Sequence, residues 1–348
     1  MTDLRTPSVD LAELADQLGH VMGAVRGESL AQYLAWCERS GLLEALKIRE
    51  GAPLPVLFQH TVLTEDAADG LLRILLCLKL VRYTQEPSLQ DKGYALTELA
   101  KEYLDKESPY YVGPALYTGQ DKAIPALFLR EPESGIESVP PVAPPLDRRS
   151  RLRMQHGRNF APAVVAARGS GLGSVRHLVD IGGGTGVFAI PLALDNPGMR
   201  ITLVDWPDAL DGIRQTLASY GVEQRIELVG MDFLTEDWHF PTFDGILFAN
   251  IFHGLDDASC RHLAHKSFEA LSPHGTVWLH EVLFNESRDG PLLAALWNAN
   301  MLAFRSGARQ RTRSELAAML LEAGFESCSA QPTAARFSLL RATKPGPA

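Results

Sequence analysis

Apolar positions recur at helical spacing from about Leu11 to Leu104, with only short connections between the periodic stretches. Leu30, Tyr33, Leu34 and Cys37 fall on one face, Gly41 closes that segment, and Leu42, Leu43 and Leu46 continue as a second short helix. Thr64, followed by Glu65 and Asp66, has the chemistry of a helix start. It predicts a helix over Ala67–Leu80 whose apolar face carries Leu71, Leu72, Ile74, Leu75 and Leu78. Val81–Tyr83 and Tyr94–Leu96 then flank a polar tip, Gln85–Lys92, which predicts a small hairpin. Helix, helix, hairpin is the order of a winged helix.

From Arg176 the pattern changes to strands alternating with helices. Strands are expected at 177–181, 201–205, 226–229, 245–249 and 276–283. Helices are expected from Gly186, from Pro207 and over 257–271. Two late apolar runs, 325–330 and 336–341, are separated by Pro332-Thr333 and predict a closing antiparallel hairpin. Strands joined by helices imply an α/β, doubly wound, Rossmann-like sheet. The stretch between about Ser108 and Ser170 is rich in proline but carries Tyr110, Tyr111, Tyr117, Phe128 and Phe160. It is expected either to wall a cavity or to pack on its neighbour. The resulting division is 1–105 as a mainly helical winged-helix domain, 106–170 as a connector, and 171–348 as the α/β domain.

Charge then narrows the partners. The chain of 348 residues has a net charge of -9. The candidate recognition helix carries two cations, Arg73 and the near-terminal Lys79, beside Asp66 and Asp69, where phosphate contact needs several. A transcription regulator is therefore the weaker reading, and no nucleic acid is expected. The apolar faces of the helical part exceed what one small domain can bury, so a dimerisation domain and a homodimer are expected. No apolar run approaches the ~20 residues of a membrane span, and the polar N-terminus lacks a signal core, so no membrane partner and a cytoplasmic location are expected. Cys37, Cys77, Cys260 and Cys328 are scattered, and His262 and His265 lack a carboxylate at fitting spacing, so no metal is expected.

Chemistry enters at Val179-Asp180-Ile181-Gly182-Gly183-Gly184-Thr185-Gly186, where an apolar strand runs into a glycine turn and a helix. Gly182 and Gly184 let backbone approach a ligand, and Asp205, at the tip of the following strand, can grip both hydroxyls of a ribose. Val187 stands where a dinucleotide fingerprint needs its last glycine, and no Lys-Ser/Thr pair follows to make a P-loop. S-adenosylmethionine, which has no pyrophosphate, fits better than NAD or ATP. Asp180 belongs to the same turn. Asp232 ends the third strand in Gly230-Met231-Asp232-Phe233; it can accept from an adenine amino group with Phe233 or Met231 packed on the ring, or it can cap a helix.

His253 follows the fourth strand and Glu281 ends the fifth, so neighbouring strand tips can join a base to a carboxylate that sets its tautomer. The alternative is a satisfied, half-buried histidine. Proton transfer from a free phenol to a free imidazole is uphill by roughly 3.5 pKa units, or about 5 kcal/mol. Such a base works only if the proton moves as the methyl bond forms.

These motifs, with Tyr94-Ala95-Leu96-Thr97, Arg311-Thr312 and Ala323-Gly324-Phe325, resemble the S-adenosylmethionine-dependent small-molecule O-methyltransferases of the caffeic acid and hydroxyindole type over nearly the whole chain. The resemblance implies a homodimer, a hydroxylated small-molecule acceptor of specialised metabolism, His253 as catalytic base and Glu281 as its partner. It also implies that Gly182, Asp205, Asp232 and Phe233 contact the cofactor and that Met154 lies near the methyl group and acceptor. There are departures. The plant members' His-Asp-Trp is His253-Gly254-Leu255 here, their lysine on the fourth strand is Ala249, and their second catalytic glutamate is Gln310. The departures leave C- or N-methylation, or a non-methylating activity, as alternatives. Arg305, Arg309, Arg311 and Arg313 are expected either to draw an anionic acceptor or to form a solvated basic face.

Overall fold

The structure, a computed structural model, describes residues 27–84, 92–108, 111, 123–131, 138–139, 163–164, 166–168, 171–240, 243–304, 307–333 and 337–347. The chain divides into two compact units. One comprises Met22–Ala143 with Phe284–Thr312, and the other Met1–Val21, Pro144–Leu283 and Arg313–Ala348.

In the first unit, helix α1 (Gly27–Arg39) buries Tyr33, Leu34, Trp36 and Cys37, and α2 (Leu42–Ile48) buries Leu42, Leu43 and Leu46. Helix α3 (Glu65–Cys77) starts where the sequence indicates, because the Thr64 hydroxyl accepts from the Ala67 N–H at 3.3 Å. It stops before the expected Leu80. Lys79 turns left-handed at φ +59 and the Leu80 N–H returns to the Leu75 carbonyl. Strands β1 (Val81–Tyr83) and β2 (Tyr94–Leu96) pair antiparallel with Val81 opposite Leu96, forming the expected hairpin. A short helix, α4 (Glu98–Tyr103), follows under a Thr97 cap. Arg73 is not available to phosphate. The residue is 8% exposed, and its guanidinium holds Asp69 at 2.5 and 3.2 Å and the Tyr83 hydroxyl at 3.0 Å.

The second unit contains a seven-stranded sheet. Its strands are β3 (His177–Ile181), β4 (Arg200–Asp205), β5 (Ile226–Gly230), β6 (Gly245–Ala249), β7 (Thr276–Val282), β8 (Glu326–Pro332) and β9 (Phe337–Thr343). Their order is β8-β9-β7-β6-β3-β4-β5, with β3 to β7 parallel and the β8–β9 hairpin antiparallel. Helices cover both faces because alternate strand residues point to opposite sides. Val179, Ile181, Val204 and Phe248 pack with Leu263 of α7 (Asp257–Ala270) and Leu316, Met319 and Leu320 of α9 (Arg313–Glu322). On the other face Leu178, Leu203 and Leu247 pack with Ile190 and Leu192 of α5 (Ala189–Asp195) and Ile213 and Leu217 of α6 (Ile213–Tyr220). The strand order reverses between β3 and β6. Ligands of doubly wound sheets bind beyond the carboxyl ends of the strands at such a reversal.

Helix α8 (Leu292–Phe304) groups with the helical unit and packs along α3. A helix that is apolar on most of its surface must be enclosed, but its pattern does not say by which neighbours.

Candidate functional site

The turn after β3 is made by backbone. Gly182 and Gly184 have φ of +70° and +55°, and a Cβ on Gly182 would stand 2.2 Å from Ile251 Cδ1. The Gly184 N–H donates to Asp205 Oδ2 at 2.8 Å and the Trp206 N–H to Oδ1 at 2.7 Å. The carboxylate is thereby oriented. An ionised carboxylate offers about four acceptor positions, the chemistry that a pair of vicinal hydroxyls needs. Asp180 is 1% exposed and neither of its oxygens has a hydrogen-bond partner among the described residues. Burial, with the charge of Asp205 adding to it, pushes its carboxyl up to about 7. A turn that brings glycine backbone close to the strand tips, an oriented carboxylate and a buried carboxyl without a partner among the described residues together fit a cationic nucleoside such as S-adenosylmethionine.

At the end of β5, Asp232 caps its own loop. Oδ1 accepts from the Leu234 N–H at 3.0 Å and Oδ2 from the Thr235 hydroxyl at 2.8 Å. Burial opposes ionisation of Asp232, but the Thr235 hydroxyl and the Leu234 and Thr235 N–H groups outweigh it and hold the carboxyl below the usual range. Phe233 and Met231 lie in the core at 6% and 7% exposure. The Phe233 carbonyl takes both the Trp238 indole N–H and the Lys266 ammonium, which pins the loop from below.

At the ends of β6 and β7, tertiary register unites residues far apart in sequence. Ala249 lies opposite His280, and the Asn250 N–H donates to the His280 carbonyl at 2.9 Å. Asn250 then turns left-handed at φ +60, and the chain continues into a 3-10 turn, Phe252–Gly254. His253 Nδ1 meets Glu281 Oε2 at 2.6 Å; Oε1 accepts from the Phe252 N–H at 2.8 Å and lies 3.4 Å from the His253 N–H. The side chains are 13% and 2% exposed. A carboxylate at Nδ1 places the proton of the neutral ring there, so Nε2 is the unprotonated ring nitrogen. Asn250 has no role in the sequence reading. Its left-handed backbone and its buried Oδ1, without a partner among the described residues, mark it only once the fold is known.

His280, on the opposite face of β7, is no part of this pair. It stacks on Phe337 with ring centroids 4.7 Å apart and meets the Thr333 hydroxyl at 3.1 Å. Burial pushes its pKa down to about 3.

Gln310 is buried in the helical unit, where its N–H donates to Asn298 Oδ1 at 2.9 Å and its side-chain nitrogen has no partner among the described residues. Met154 and Arg305 lie outside the described residues. Arg311 departs from both expectations for the arginine cluster. It is 2% exposed and donates to the Arg309 carbonyl at 3.2 Å, because the segment after α8 turns it inward rather than to solvent. The His262 Nε2–H donates to the Leu234 carbonyl at 3.1 Å. Among the described residues no three His, Cys, Asp or Glu side chains are grouped to hold a metal, and no helix is long and apolar enough to cross a membrane.

The O-methyltransferase domain family matches residues 153–326, half of the chain. The 3-hydroxy-5-methyl-1-naphthoate 3-O-methyltransferase of Streptomyces sahachiroi is 28% identical over 306 residues, covering 84% of this chain and 85% of that protein. Human acetylserotonin O-methyltransferase is 30% identical over 167 residues, 48% of this chain and 47% of that one. Among solved structures, an O-methyltransferase family 2 protein from Planctomyces limnophilus in complex with apigenin superposes with a TM-score of 0.79 at 24% identity, covering 98% of both chains. The chain belongs to the family of S-adenosylmethionine-dependent O-methyltransferases.

Proposed function

We propose that the protein methylates a hydroxyl on an aromatic small molecule of specialised metabolism, with His253 as general base and Glu281 as the residue that orients it. The observation that carries this reading is the 2.6 Å contact between His253 Nδ1 and Glu281 Oε2. S-adenosylmethionine supplies, when bound, a methyl group on a positively charged sulfur. Asp205 and the Gly182–Gly184 backbone would hold its ribose, Asp180 would face its cationic part, and the Asp232–Phe233 loop would border its base. His253 Nε2 takes the hydroxyl proton. The imidazolium so formed faces Glu281, whose other oxygen is held by the Phe252 N–H, so the carboxylate does not have to reorient as charge develops.

The acceptor class is supported by the relatives named above, which act on a hydroxynaphthoate and on acetylserotonin. Met154 is proposed near the acceptor and Gln310 as the neutral counterpart of a second catalytic carboxylate. The helical unit leaves Ile48, Leu99 and Tyr103 exposed at 65%, 52% and 38%, which supports homodimerisation through it. A cytoplasmic location and the absence of nucleic-acid and membrane partners complete the reading. Size-exclusion with light scattering should give twice the chain mass; a monodisperse monomer contradicts the interface.

Glu281→Gln tests the pair. It preserves shape and the Phe252 contact but removes the charge, so turnover on a hydroxylated polycyclic aromatic should fall about 10- to 100-fold while S-adenosylhomocysteine affinity holds. Unchanged turnover would reduce His253 to a structural residue. Methyl appearing on carbon or nitrogen of the acceptor panel would move the assignment to a different transfer chemistry.

A further inference from the structure

Carboxyl groups stand at the ends of β3, β4 and β7, and the fold treats them differently. Glu281 is held by the Phe252 N–H and the His253 ring, and Asp205 by the Gly184 and Trp206 N–H groups. Asp180 has neither water nor a donor: at 1% exposure, both of its oxygens lack a partner among the described residues. Alternation along β3 turns it to the face of Leu178, and its register neighbours are the fully buried Leu203 on β4 and Leu247 on β6. A carboxylate in such surroundings is costly to hold as a charge, and a proton removes the cost.

The carboxyl lies on the core side of the glycine turn. A Cβ on Gly183 would stand 2.9 Å from Asp180 Oδ2 and 2.6 Å from Leu203 Cγ, and one on Gly184 would stand 3.8 Å from Asp205 Oδ2. Asp180 and Asp205 thus border successive residues of one turn. Carboxyls so close resist ionising together, and the N–H donors that favour a charge are on Asp205. Burial, reinforced by the Asp205 charge, pushes the Asp180 carboxyl up to about 7. Neighbouring elements do not offset this. The inward residues of α5 and α6, Ile190, Leu192, Ile213 and Leu217, are apolar, and His280, two strands across on the same face, is held neutral by its own burial. The other titratable pair at this edge is His253 with Glu281.

S-adenosylmethionine and S-adenosylhomocysteine share ribose, base and amino-acid group and differ by one methyl and one positive charge. That charge sits on the sulfur joined to the ribose C5′, a few bonds from any hydroxyl gripped by Asp205. A cation about 8 Å from a carboxyl at a protein's edge shifts its proton equilibrium more than tenfold. We infer that Asp180 distinguishes the cationic methyl donor from its neutral product: its carboxyl holds a proton when no cation is bound and gives that proton to solvent when S-adenosylmethionine binds. Transfer of the methyl group removes the charge, Asp180 takes a proton back from solvent, and the product is held without the electrostatic contribution. This rests on the reading of Gly182, Gly184 and Asp205 as a nucleoside site.

Calorimetric titration of the full chain in buffers of different ionisation enthalpy counts the protons. Near pH 6, S-adenosylmethionine should release about one proton per site and S-adenosylhomocysteine about none; near pH 8 neither should release one. Affinity for S-adenosylmethionine should rise about tenfold between those values while that for S-adenosylhomocysteine stays level. Asp180→Asn, which keeps the shape and cannot ionise, should abolish both the released proton and the pH dependence. Infrared difference spectra of the wild-type protein should lose a protonated-carboxyl band with S-adenosylmethionine and keep it with S-adenosylhomocysteine, a readout that does not need the variant to fold. Binding of S-adenosylmethionine without proton release near pH 6 overturns the inference, as does equal release with both ligands. Release that persists in Asp180→Asn overturns it too and assigns the proton to the His253–Glu281 pair. A wild-type protein that binds neither ligand would remove the nucleoside site and the inference with it, a result distinct from binding without a proton.

Discussion

The two halves of the sheet's carboxyl edge are built from different materials. At the tips of β3 and β4 the working surface is backbone: left-handed glycines, with the Gly184 N–H and the Trp206 N–H orienting Asp205, in a turn where a Cβ at Gly182 would displace Ile251. At the tips of β6 and β7 it is side chain: an imidazole and a carboxylate 2.6 Å apart, each almost enclosed. The difference teaches how each half should fail. Damage to the first should appear as lost cofactor affinity, and damage to the second as lost turnover with affinity intact.

The sharpest break in that comparison is His253→Ala. Removing a general base should cost about 10²- to 10⁴-fold in turnover while S-adenosylhomocysteine affinity stays near that of the parent. With a phenolic acceptor, part of the rate should return at high pH as solvent ionises the hydroxyl. Loss of cofactor affinity equal to the loss of rate would erase the distinction between the two halves.

Next in size is a pair of opposed pH effects from two buried groups on the sheet. His280 has its pKa lowered to about 3, so below about pH 6.5 the unfolded chain binds a proton that the folded chain refuses, and stability falls as pH drops through that window. Asp180 is raised to about 7, so the folded chain keeps a proton that the unfolded chain releases near pH 4, and stability falls as pH rises from about 4 through 7. Each contributes on the order of a few kcal/mol, and between about pH 4 and 6.5 they oppose one another. Urea denaturation of Asp180→Asn should therefore show stability rising with pH across that interval. His280→Phe, whose ring can occupy the stack between Phe188 and Phe337, should show it falling. Parallel profiles for the two variants would refute the assignment of both groups.

Asp205→Ala should weaken S-adenosylhomocysteine by about 2 kcal/mol, the range for losing a charged hydrogen-bond partner, with Asp205→Asn milder. Calorimetry returning the parent affinity would remove Asp205 from the ribose. The smallest effect is expected at Gly182→Ala, about 1–2 kcal/mol of stability for an L side chain held left-handed, and Ile251 can swing its Cδ1 aside. A melt indistinguishable from the parent would mean that the turn can relax.

Much of this contrast could be read before the fold was known, and the division follows the chemistry. The β3 turn and Asp205 are local: strand, glycines and the acid one strand later occur in an order that only a βαβ unit explains. The Thr64 cap, the β1–β2 hairpin and the alternation that makes the sheet are local for the same reason. Periodicity and capping operate within a few residues.

What tertiary structure alone decided is long-range. Ala249 lies opposite His280, and that register, not any spacing along the chain, joins His253 to Glu281. That Asp232 closes its own loop through Leu234 and Thr235, and that Phe233 is buried, follows from how the segment after the edge strand β5 folds back. Helix α8 is apolar enough to be enclosed anywhere, and the structure placed it with α3. Pattern specifies that a side chain must be buried; only the closed packing of distant segments specifies which side chains remain at the surface, and Trp206 is among them.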